Sequence, residues 1–543
     1  MSNFRMTIPT PYNEPVKEYM PGSPERVLLK HTLEEQYARE IEVPLIIGGE
    51  KIYTGRVNKV VCPHDHQHVL AVYHQAGPKE VAMAIEAAMR AKQAWGDLEW
   101  SHRASIFLKM ADLISTKYRY ILNSATMLGQ SKSVYQAEIE ASCEMADFLR
   151  FNVFFADEIY SKQPISTPTT WNRVVYRPLE GFVFAVTPFN FTAIAGNLAS
   201  APAIMGNTVV WKPASKAILS NYFLMQLFKD AGLPDGVINF IPGRGSEVGD
   251  IVLQNSSLSG VHFTGSTSTF QTIWRQVSEN LNRYKNYPRL VGETGGKDYI
   301  VIHNSADIDA AATAIVRAGF EFQGQKCSAC SRVYAPRSQW PELRETLLSM
   351  VKEIDVGDVK NFSNFMNAVI DRKAYRKIMV YIEKAEHSAE AKIIIGGQGN
   401  DTKGYFVEPT IIETKNPRFI TMEEEIFGPV VTVFVYDDDQ YQTTLELCDR
   451  TSPYGLTGAI FSKDREAIVL AEKVLYHSAG NFYINDKPSG SIVGQQPFGG
   501  SRASGTNDKA GSFLNLTRWI TAQAVKENFV PPKDFRYPYM QET

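Results

Sequence analysis

The sequence has few cysteines, no long apolar run and no excess of charge of either sign, and each absence excludes a class of protein. Five cysteines among 543 residues, an odd number, do not suit a disulfide framework and favour a reducing compartment. No stretch approaches the ~18 consecutive apolar residues of a membrane span, and the mean hydropathy is −0.21. The chain has 56 lysine and arginine residues and 59 aspartate and glutamate residues, so it has no excess of positive charge to neutralise the phosphates of a nucleic acid. We expect no nucleic-acid partner and no membrane span.

The chain is long enough for two or more domains, each with its own hydrophobic core. Hydrophobic residues make up 44% of the sequence and charged residues 21%, which is close to the globular average. The first residues show no apolar core of signal-peptide type and no transit-peptide pattern. The composition therefore indicates an intracellular globular protein and does not distinguish between organelles.

Short apolar runs alternate with helical patterns along most of the chain, which indicates parallel sheets with helical crossovers. Strands are predicted at 182–186, 208–211, 237–241, 260–263, 299–303, 332–335 and 430–435. Helices are predicted at 23–42, 79–95, 102–127, 219–231, 247–253, 307–322, 340–355 and 372–389. Two α/β blocks follow, meeting near 295–297.

The segment 324–330, Gly-Gln-Lys-Cys-Ser-Ala-Cys, contains Cys327 and Cys330. A zinc half-site needs two more ligands, and the only candidate cluster is Cys-Pro-His-Asp-His-Gln-His at 62–68. A dithiol site needs a thioredoxin-like context, which is absent. We therefore expect no metal and read Cys327 as a single nucleophile. A cysteine hydrolase stays open, although no histidine lies between His303 and His387.

Three further segments carry polar side chains that could act as a general base or line a dinucleotide site. Glu293 lies in a glycine-rich turn between the two blocks, where partial burial would tune a general base. A plain turn is the alternative. Asn190 and Lys212 follow predicted parallel strands, and loops at the carboxyl ends of such strands are where dinucleotides bind.

Several motifs in consistent order resemble the aldehyde dehydrogenase superfamily. They are Thr-Pro-Phe-Asn at 187–190, Trp-Lys-Pro at 211–213, Phe-Thr-Gly-Ser at 263–266, Gly-Glu-Thr-Gly-Gly at 292–296, Gly-Gln-Lys-Cys at 324–327, Glu-Glu-Ile-Phe-Gly-Pro at 424–429 and Pro-Phe-Gly-Gly at 497–500. The segments 322–332, 480–487, 490–500 and 503–509 resemble the branch that oxidises L-glutamate γ-semialdehyde to L-glutamate with NAD, the second step of proline catabolism.

The resemblance implies a role for each matching residue. Cys327 attacks the aldehyde as a thiolate, the Asn190 amide holds the resulting oxyanion, and Glu293 activates water to hydrolyse the thioester. The residues implied to contact the cofactor are Lys212, Ser215, Ser266, Glu425 and Phe427. The residues implied to contact the substrate are Ser328, Gly490, Ser491, Phe191, Phe498 and Glu144. Lys326 has no assigned role, and Cys330 is read as a small packing residue.

The resemblance also implies the architecture: an α/β fold with a Rossmann-like cofactor domain, a catalytic domain and a β-arm through which subunits pair as a homodimer or an assembly of dimers. The implied segments are an N-terminal arm at 1–43, an NAD-binding domain at 44–164 and 187–297, a catalytic domain at 298–515, and an oligomerisation arm at 165–186 and 516–543. A eukaryotic member is expected in the mitochondrial matrix and a bacterial one in the cytoplasm.

Three alternatives remain at this stage. A dehydrogenase of another aldehyde, with NAD or NADP, would keep the same motifs. A cysteine hydrolase would cleave esters without forming reduced cofactor. A catalytically idle relative is disfavoured because Cys327, Glu293 and Asn190 are retained together.

Overall fold

A computed structural model describes residues 7–541 and contains two seven-stranded sheets. Residues 1–6 of the predicted N-terminal arm and 542–543 of the predicted oligomerisation arm lie outside the described residues. In spatial order the first sheet consists of Arg289–Glu293, Leu258–Thr264, Phe182–Val186, Thr208–Lys212, Ile238–Phe240, Leu45–Ile47 and Glu50–Ile52. The first five strands are parallel, Leu45–Ile47 runs antiparallel to them, and Glu50–Ile52 pairs antiparallel with Leu45–Ile47.

The second sheet is parallel except for its first edge strand. In spatial order it consists of Ala391–Ile395, Thr410–Thr414, Val430–Tyr436, Cys330–Pro336, Asp298–Ile302, Thr457–Phe461 and Asn481–Ile484. The α/β class with parallel sheets is therefore confirmed. The sheets share no strand, and the chain passes from the first sheet to the second between 293 and 298. The predicted domain boundaries stay predictions.

Helices connect and cover both sheets. Those of eight residues or more are Pro24–Tyr37, Pro78–Asp97, Trp100–Ser115, Arg119–Gln130, Glu144–Ser161, Thr192–Ile204, Ile218–Ala231, Gly245–Leu253, Thr267–Glu279, Ile308–Phe320, Trp340–Lys352, Arg372–Glu386, Tyr441–Arg450 and Arg465–Val474. Shorter α-helices are Val134–Ala137, Ile420–Glu423 and Phe513–Leu516, and a π-helical segment spans Glu138–Cys143. Among residues 7–541, no helix has both the length and the apolarity to cross a bilayer.

Four smaller strand groups complete the fold. Ile41–Val43, Asp65–His74 and Val57–Cys62 form a three-stranded sheet, and Thr170–Pro178 pairs antiparallel with Ile520–Asn528. The other two groups are the short pairs Gly399–Asn400 with Phe406–Val407 and Tyr454–Gly455 with Ser501–Arg502.

The register of the first sheet brings functional residues together. Its central strands are buried on both faces, as parallel strands between two helical layers must be. Val186 pairs with Lys212, and Thr264 pairs with Glu293. The strand ends therefore align, and the loops that follow them lie at one edge of the sheet.

The structure corrects several sequence predictions. The helix predicted at 23–42 ends at Tyr37, and Ile41–Val43 is a strand. The helix predicted at 102–127 is two helices, because the chain turns at Thr116, where ψ is −93°. The predicted arm segment 165–186 also includes Phe182–Val186, which lies in the first sheet. Only Thr170–Pro178 pairs with Ile520–Asn528, because hydrophobic burial places Phe182–Val186 in the core.

Candidate active site

A cavity of about 300 Å³ contains Cys327 at its wall. Every residue predicted to contact the substrate lines this cavity, although these residues come from distant parts of the chain: Glu144, Phe191, Ser328, Gly490, Ser491 and Phe498. The structure therefore brings the predicted substrate residues and the predicted nucleophile to one place. Their individual roles stay predictions.

The loop that presents Cys327 has an unusual backbone. Phe322, Gln323 and Gly324 all have positive φ, at 50°, 55° and 64°. Non-glycine residues rarely adopt this region, and here side-chain amides hold it in place. Gln323 donates to the carbonyls of Ser131 and Ala368 at 2.9 and 2.8 Å. A Cβ on Gly324 would lie 2.3 Å from the carbonyl oxygen of Gly428, so this position requires glycine.

Asn190 lies beside the same loop. Its buried Nδ2 donates to the carbonyl oxygen of Gln325 at 3.1 Å. Gln325 is in turn fixed because its side-chain oxygen accepts from the backbone N–H of Ile370 at 2.9 Å. An amide nitrogen carries two N–H groups. The second N–H of Asn190 thus remains for an acceptor near Cys327.

Cys327 is the only cysteine among the five that is not fully buried. Burial raises the pKa of its thiol well above the usual value, and the carboxyl groups of Asp298, Glu293 and Glu425 act in the same direction. The thiol is therefore neutral in the resting site near pH 7. The thiolate expected from the sequence has to form together with proton transfer to an acceptor.

Glu293 ends the strand next to Leu258–Thr264 and is partly buried. Burial raises the pKa of its carboxyl group well above the usual range, against a smaller lowering by the backbone N–H of Gly500 and by Lys509. Its Oε2 has no hydrogen-bond partner among residues 7–541. A carboxyl group with a raised pKa and a free oxygen is suited to accept a proton from water.

Three of the predicted cofactor residues, Lys212, Ser215 and Ser266, lie at the edge where the strands of the first sheet end. Lys212 ends its strand, and burial lowers the pKa of its amine to about 8. Ser215 lies exposed three residues later. Ser266 caps the helix Thr267–Glu279 by accepting from the Thr269 N–H. A helix N-terminus at the end of a parallel strand fits the pyrophosphate of a dinucleotide.

An open groove of about 830 Å³ connects Ser266 to Glu425. Glu425 accepts from the backbone N–H of Gly296 at 3.0 Å, and burial raises the pKa of its carboxyl group. Phe427 has a φ of 63° and meets Phe189 edge-on, with 5.9 Å between ring centroids. The donors, the groove and the helix N-terminus together fit NAD, which the motifs imply.

Glu144, Lys326 and Cys330 have different surroundings. Burial and the neighbouring Glu140 raise the pKa of Glu144 to about 8, so this cavity carboxyl group is neutral near pH 7. Lys326 is buried between Glu140 and Glu321, at 2.8 and 3.2 Å. Cys330 is buried behind the loop. The surroundings of Lys326 and Cys330 are those of structural residues.

The histidines of the 62–68 cluster each bind a different group. His64 contacts Ser131, His66 contacts the carbonyl of Asp401, and His68 contacts the carbonyl of Tyr37. Among residues 7–541 no group of three or more histidine, cysteine, aspartate or glutamate side chains is placed to hold a metal ion.

Sequence reasoning missed several residues of the site. Asn13, Glu14 and Val16 of the N-terminal segment line the cavity, as does Lys487. The N-terminal residues carry no local signal for this placement. Lys487 could have been found, because it ends the 480–487 motif.

Comparison with known proteins places nearly the whole chain in the family that the sequence motifs resemble. The model described as "Aldehyde dehydrogenase family" matches residues 53–525. A Dictyostelium discoideum protein named delta-1-pyrroline-5-carboxylate dehydrogenase, mitochondrial, is 53% identical over 99% of this chain and 98% of its own length. The human protein of that name is 48% identical over 97% of this chain and 94% of its own length.

A solved structure agrees. The delta-pyrroline-5-carboxylate dehydrogenase of Mycobacterium tuberculosis bound with NAD superposes with a TM-score of 0.97, at 48% identity, over all of both chains. The structural match covers both sheets and the cavity. The chain belongs to the aldehyde dehydrogenase family.

Proposed function

We propose that this protein oxidises L-glutamate γ-semialdehyde, the open form of Δ1-pyrroline-5-carboxylate, to L-glutamate with NAD, the second step of proline catabolism. Family membership makes it an NAD(P)-dependent oxidoreductase of aldehydes, and relatives 48–53% identical are named for this substrate. The observation that carries the proposal is the single cavity that contains Cys327 together with the hydroxyl and backbone donors of Ser328, Gly490 and Ser491.

The first half of the reaction takes place at Cys327. The thiol proton passes to solvent water, and the sulfur attacks the aldehyde carbon to form a thiohemiacetal. The second Asn190 N–H and the backbone N–H of Cys327 donate to the developing oxyanion, and one such donor contributes about 2.7–4 kcal/mol. NAD held in the adjoining groove would supply the acceptor for the hydride that this carbon loses. The carbon is thereby oxidised and stays bonded to sulfur as a thioester.

The second half is hydrolysis at Glu293. Its carboxylate takes a proton from water, and the hydroxide oxygen attacks the thioester carbon. The carbon–sulfur bond breaks, and the sulfur leaves as a thiolate that recovers a proton. A cysteine hydrolase uses histidine to protonate an amine or alcohol leaving group, whereas here sulfur leaves. A carboxylate therefore suffices as the base.

The cavity wall has groups for both ends of the proposed substrate. Ser328, Gly490 and Ser491 would donate to its α-carboxylate, while Phe191 and Phe498 would pack against its aliphatic stem. For the cofactor, Lys212 and Ser215 would contact the adenosine ribose, Ser266 the pyrophosphate, and Glu425 and Phe427 the nicotinamide ribose.

We propose the homodimer, through the paired strands Thr170–Pro178 and Ile520–Asn528, as the minimal assembly. Apolar side chains on and beside these strands are exposed in the single chain, among them Trp171 at 51% and Phe535 at 84%. Exposed apolar patches of this kind mark interaction surfaces. The proposed compartment is the mitochondrial matrix for a eukaryotic source, because the Dictyostelium discoideum and human relatives are named as mitochondrial proteins. For a bacterial source the proposed compartment is the cytoplasm.

The test measures NADH formation with pyrroline-5-carboxylate and with a panel of simple aldehydes, using the wild type and Cys327→Ala. Cys330→Ala is the matched control, since it removes a thiol three residues away. We expect preference for pyrroline-5-carboxylate, loss of activity in Cys327→Ala and retention in Cys330→Ala. Equal rates with simple aldehydes would indicate another dehydrogenase, and ester cleavage without NADH would indicate a hydrolase.

A further inference from the structure

The N-terminal segment 13–19 forms part of the substrate cavity. Asn13, Glu14 and Val16 line the same cavity as Cys327, although they lie more than 300 positions before it. The segment has no regular secondary structure. Its position therefore depends entirely on its contacts with the body of the protein.

Asn13 bridges two walls of the cavity through its side-chain amide. Its Nδ2 donates to Oδ2 of Asp147, on the helix Glu144–Ser161, and to the carbonyl oxygen of Val493, both at 2.8 Å. Its Oδ1 accepts from Nε2 of Gln495 at 2.9 Å. The amide thus connects the helix that carries Glu144 to the loop 490–495 that carries Gly490 and Ser491.

The loop 490–495 has few other polar restraints. Within the described part of the chain, the hydrogen bonds that connect it to residues outside 490–496 are the two with Asn13. Gly490 and Gly494 adopt positive φ, at 86° and 81°. Glycine makes the backbone permissive, so an ordered loop needs external contacts. Packing of the buried Val493 is one such contact, and Asn13 supplies the hydrogen bonds.

The position of Asn13 is itself fixed by its neighbours. The backbone N–H of Glu14 donates to Oδ1 of Asp147 at 2.6 Å, and Arg150 lies 2.8 Å from the Glu14 carboxyl group. Further along, the Tyr19 hydroxyl donates to the buried Glu138 at 2.6 Å. These contacts hold the segment at both ends, so the amide of Asn13 is presented in one orientation.

We propose that Asn13 is a positioning residue that holds the loop 490–495 where Gly490 and Ser491 meet the substrate carboxylate. This inference rests on the proposed function for the identity of the ligand. Asn13 does not contact the reacting atoms and acts through the loop. Its loss should therefore weaken binding of a carboxylate-bearing aldehyde and leave the chemistry at Cys327 intact.

The first experiment compares Asn13→Ala with the wild type and with Asn58→Ala, a matched control at an exposed asparagine of the strand Val57–Cys62. We expect the KM for glutamate semialdehyde to rise about tenfold in Asn13→Ala, with little change in kcat. This is the size expected for losing the two neutral hydrogen bonds between Asn13 and the loop 490–495. Propanal, which has no carboxylate, should be oxidised with unchanged kcat/KM. A fall in kcat for both aldehydes would overturn the proposal and indicate a general structural role.

A double-mutant cycle checks the route through the loop. Gln495→Ala should raise the same KM by a smaller factor, and the double variant should be no worse than Asn13→Ala alone, because the two side chains share one hydrogen bond. Additive effects would show that Asn13 acts by some other path.

Hydrogen exchange of residues 490–496 in the ligand-free protein gives a result that does not depend on the substrate. Exchange should be faster in Asn13→Ala than in the wild type or Asn58→Ala. Unchanged exchange would refute the positioning role even if glutamate semialdehyde is the substrate. Conversely, a wild type without preference for that substrate would refute the proposed function, while the exchange experiment would still decide whether Asn13 orders the loop.

Discussion

Replacing Glu293 by glutamine removes the proposed base of thioester hydrolysis and keeps the shape of the side chain. In the structure this carboxyl group accepts one hydrogen bond from the Gly500 backbone, and its Oε2 is free. Glutamine keeps an acceptor for Gly500, so the packing is preserved. The specific loss is the ability to take a proton from water.

The expected magnitude follows from that role. A positioned general base contributes typically about 10²–10⁴-fold to the step that it serves. Steady-state turnover of Glu293→Gln should therefore fall by about that factor. Thiohemiacetal formation and hydride transfer do not use water. The first turnover should still release about one NADH per active site, followed by slow turnover, with an acyl group retained on Cys327.

The raised pKa of Cys327 adds a second expectation. Because the thiol is neutral near pH 7, the thiolate fraction rises about tenfold per pH unit below that pKa. The rate of the NADH burst should therefore increase with pH, while its amplitude stays at one per site. Removing the Glu293 carboxyl group also removes one of the groups that raise the thiol pKa.

The assay is stopped-flow NADH formation across a pH series, with mass spectrometry of the quenched protein. Glu466→Gln, at an exposed position of the helix Arg465–Val474, is the matched control. A burst that is absent at every pH would show that Glu293 activates the thiol instead. Full steady-state turnover without an acyl adduct would reduce Glu293 to a residue of the turn.

Three further substitutions test other parts of the site and fold. Ser491→Ala should weaken glutamate semialdehyde binding by about 1.5–3 kcal/mol, measured through KM, because one hydrogen bond to a charged group is lost. Activity should fall far less than in Cys327→Ala, because the backbone donors remain. An equal loss of activity with propanal would contradict a carboxylate contact. Asn190→Ala should lower kcat about 10²–10³-fold with saturating substrate, and a nearly unchanged kcat would exclude an oxyanion role. Glu138→Ala leaves the buried Arg119 without its main partner and should lower the free energy of unfolding by about 3–5 kcal/mol in urea, whereas an unchanged urea midpoint would contradict this.

The parts of the fold that the sequence predicts are those with a local signal. The strand Phe182–Val186 is a continuous apolar run because both faces of a parallel strand are buried. Cys327 and Glu293 lie in short motifs that can be recognised from a few consecutive residues. Their neighbourhood in space was implied by the resemblance of these motifs to the aldehyde dehydrogenase family, because Glu293 ends a strand of the first sheet whereas Cys327 precedes a strand of the second.

The parts that could not be predicted depend on distant contacts. Asn13 meets Val493 across 480 positions, and nothing in its local sequence marks it as part of a cavity. The left-handed backbone of Phe322 and Gln323 is imposed by bonds to Ser131 and Ala368, against the usual preference of such residues. Likewise, the helix predicted at 102–127 is interrupted at Thr116 although its apolar spacing continues.

Because the cysteines differ in exposure, chemical labelling of the thiols can report on the active site. Cys62, Cys330 and Cys448 are at most 1% exposed, whereas Cys327 faces the cavity and Cys143, at 5% exposed, lines the same cavity. A small electrophile should therefore modify Cys327 first and the less exposed Cys143 more slowly, and it should leave the other three thiols unmodified while the chain is folded. The fast phase of labelling then counts the accessible Cys327 sites in a preparation, and unfolding the protein should release Cys62, Cys330 and Cys448.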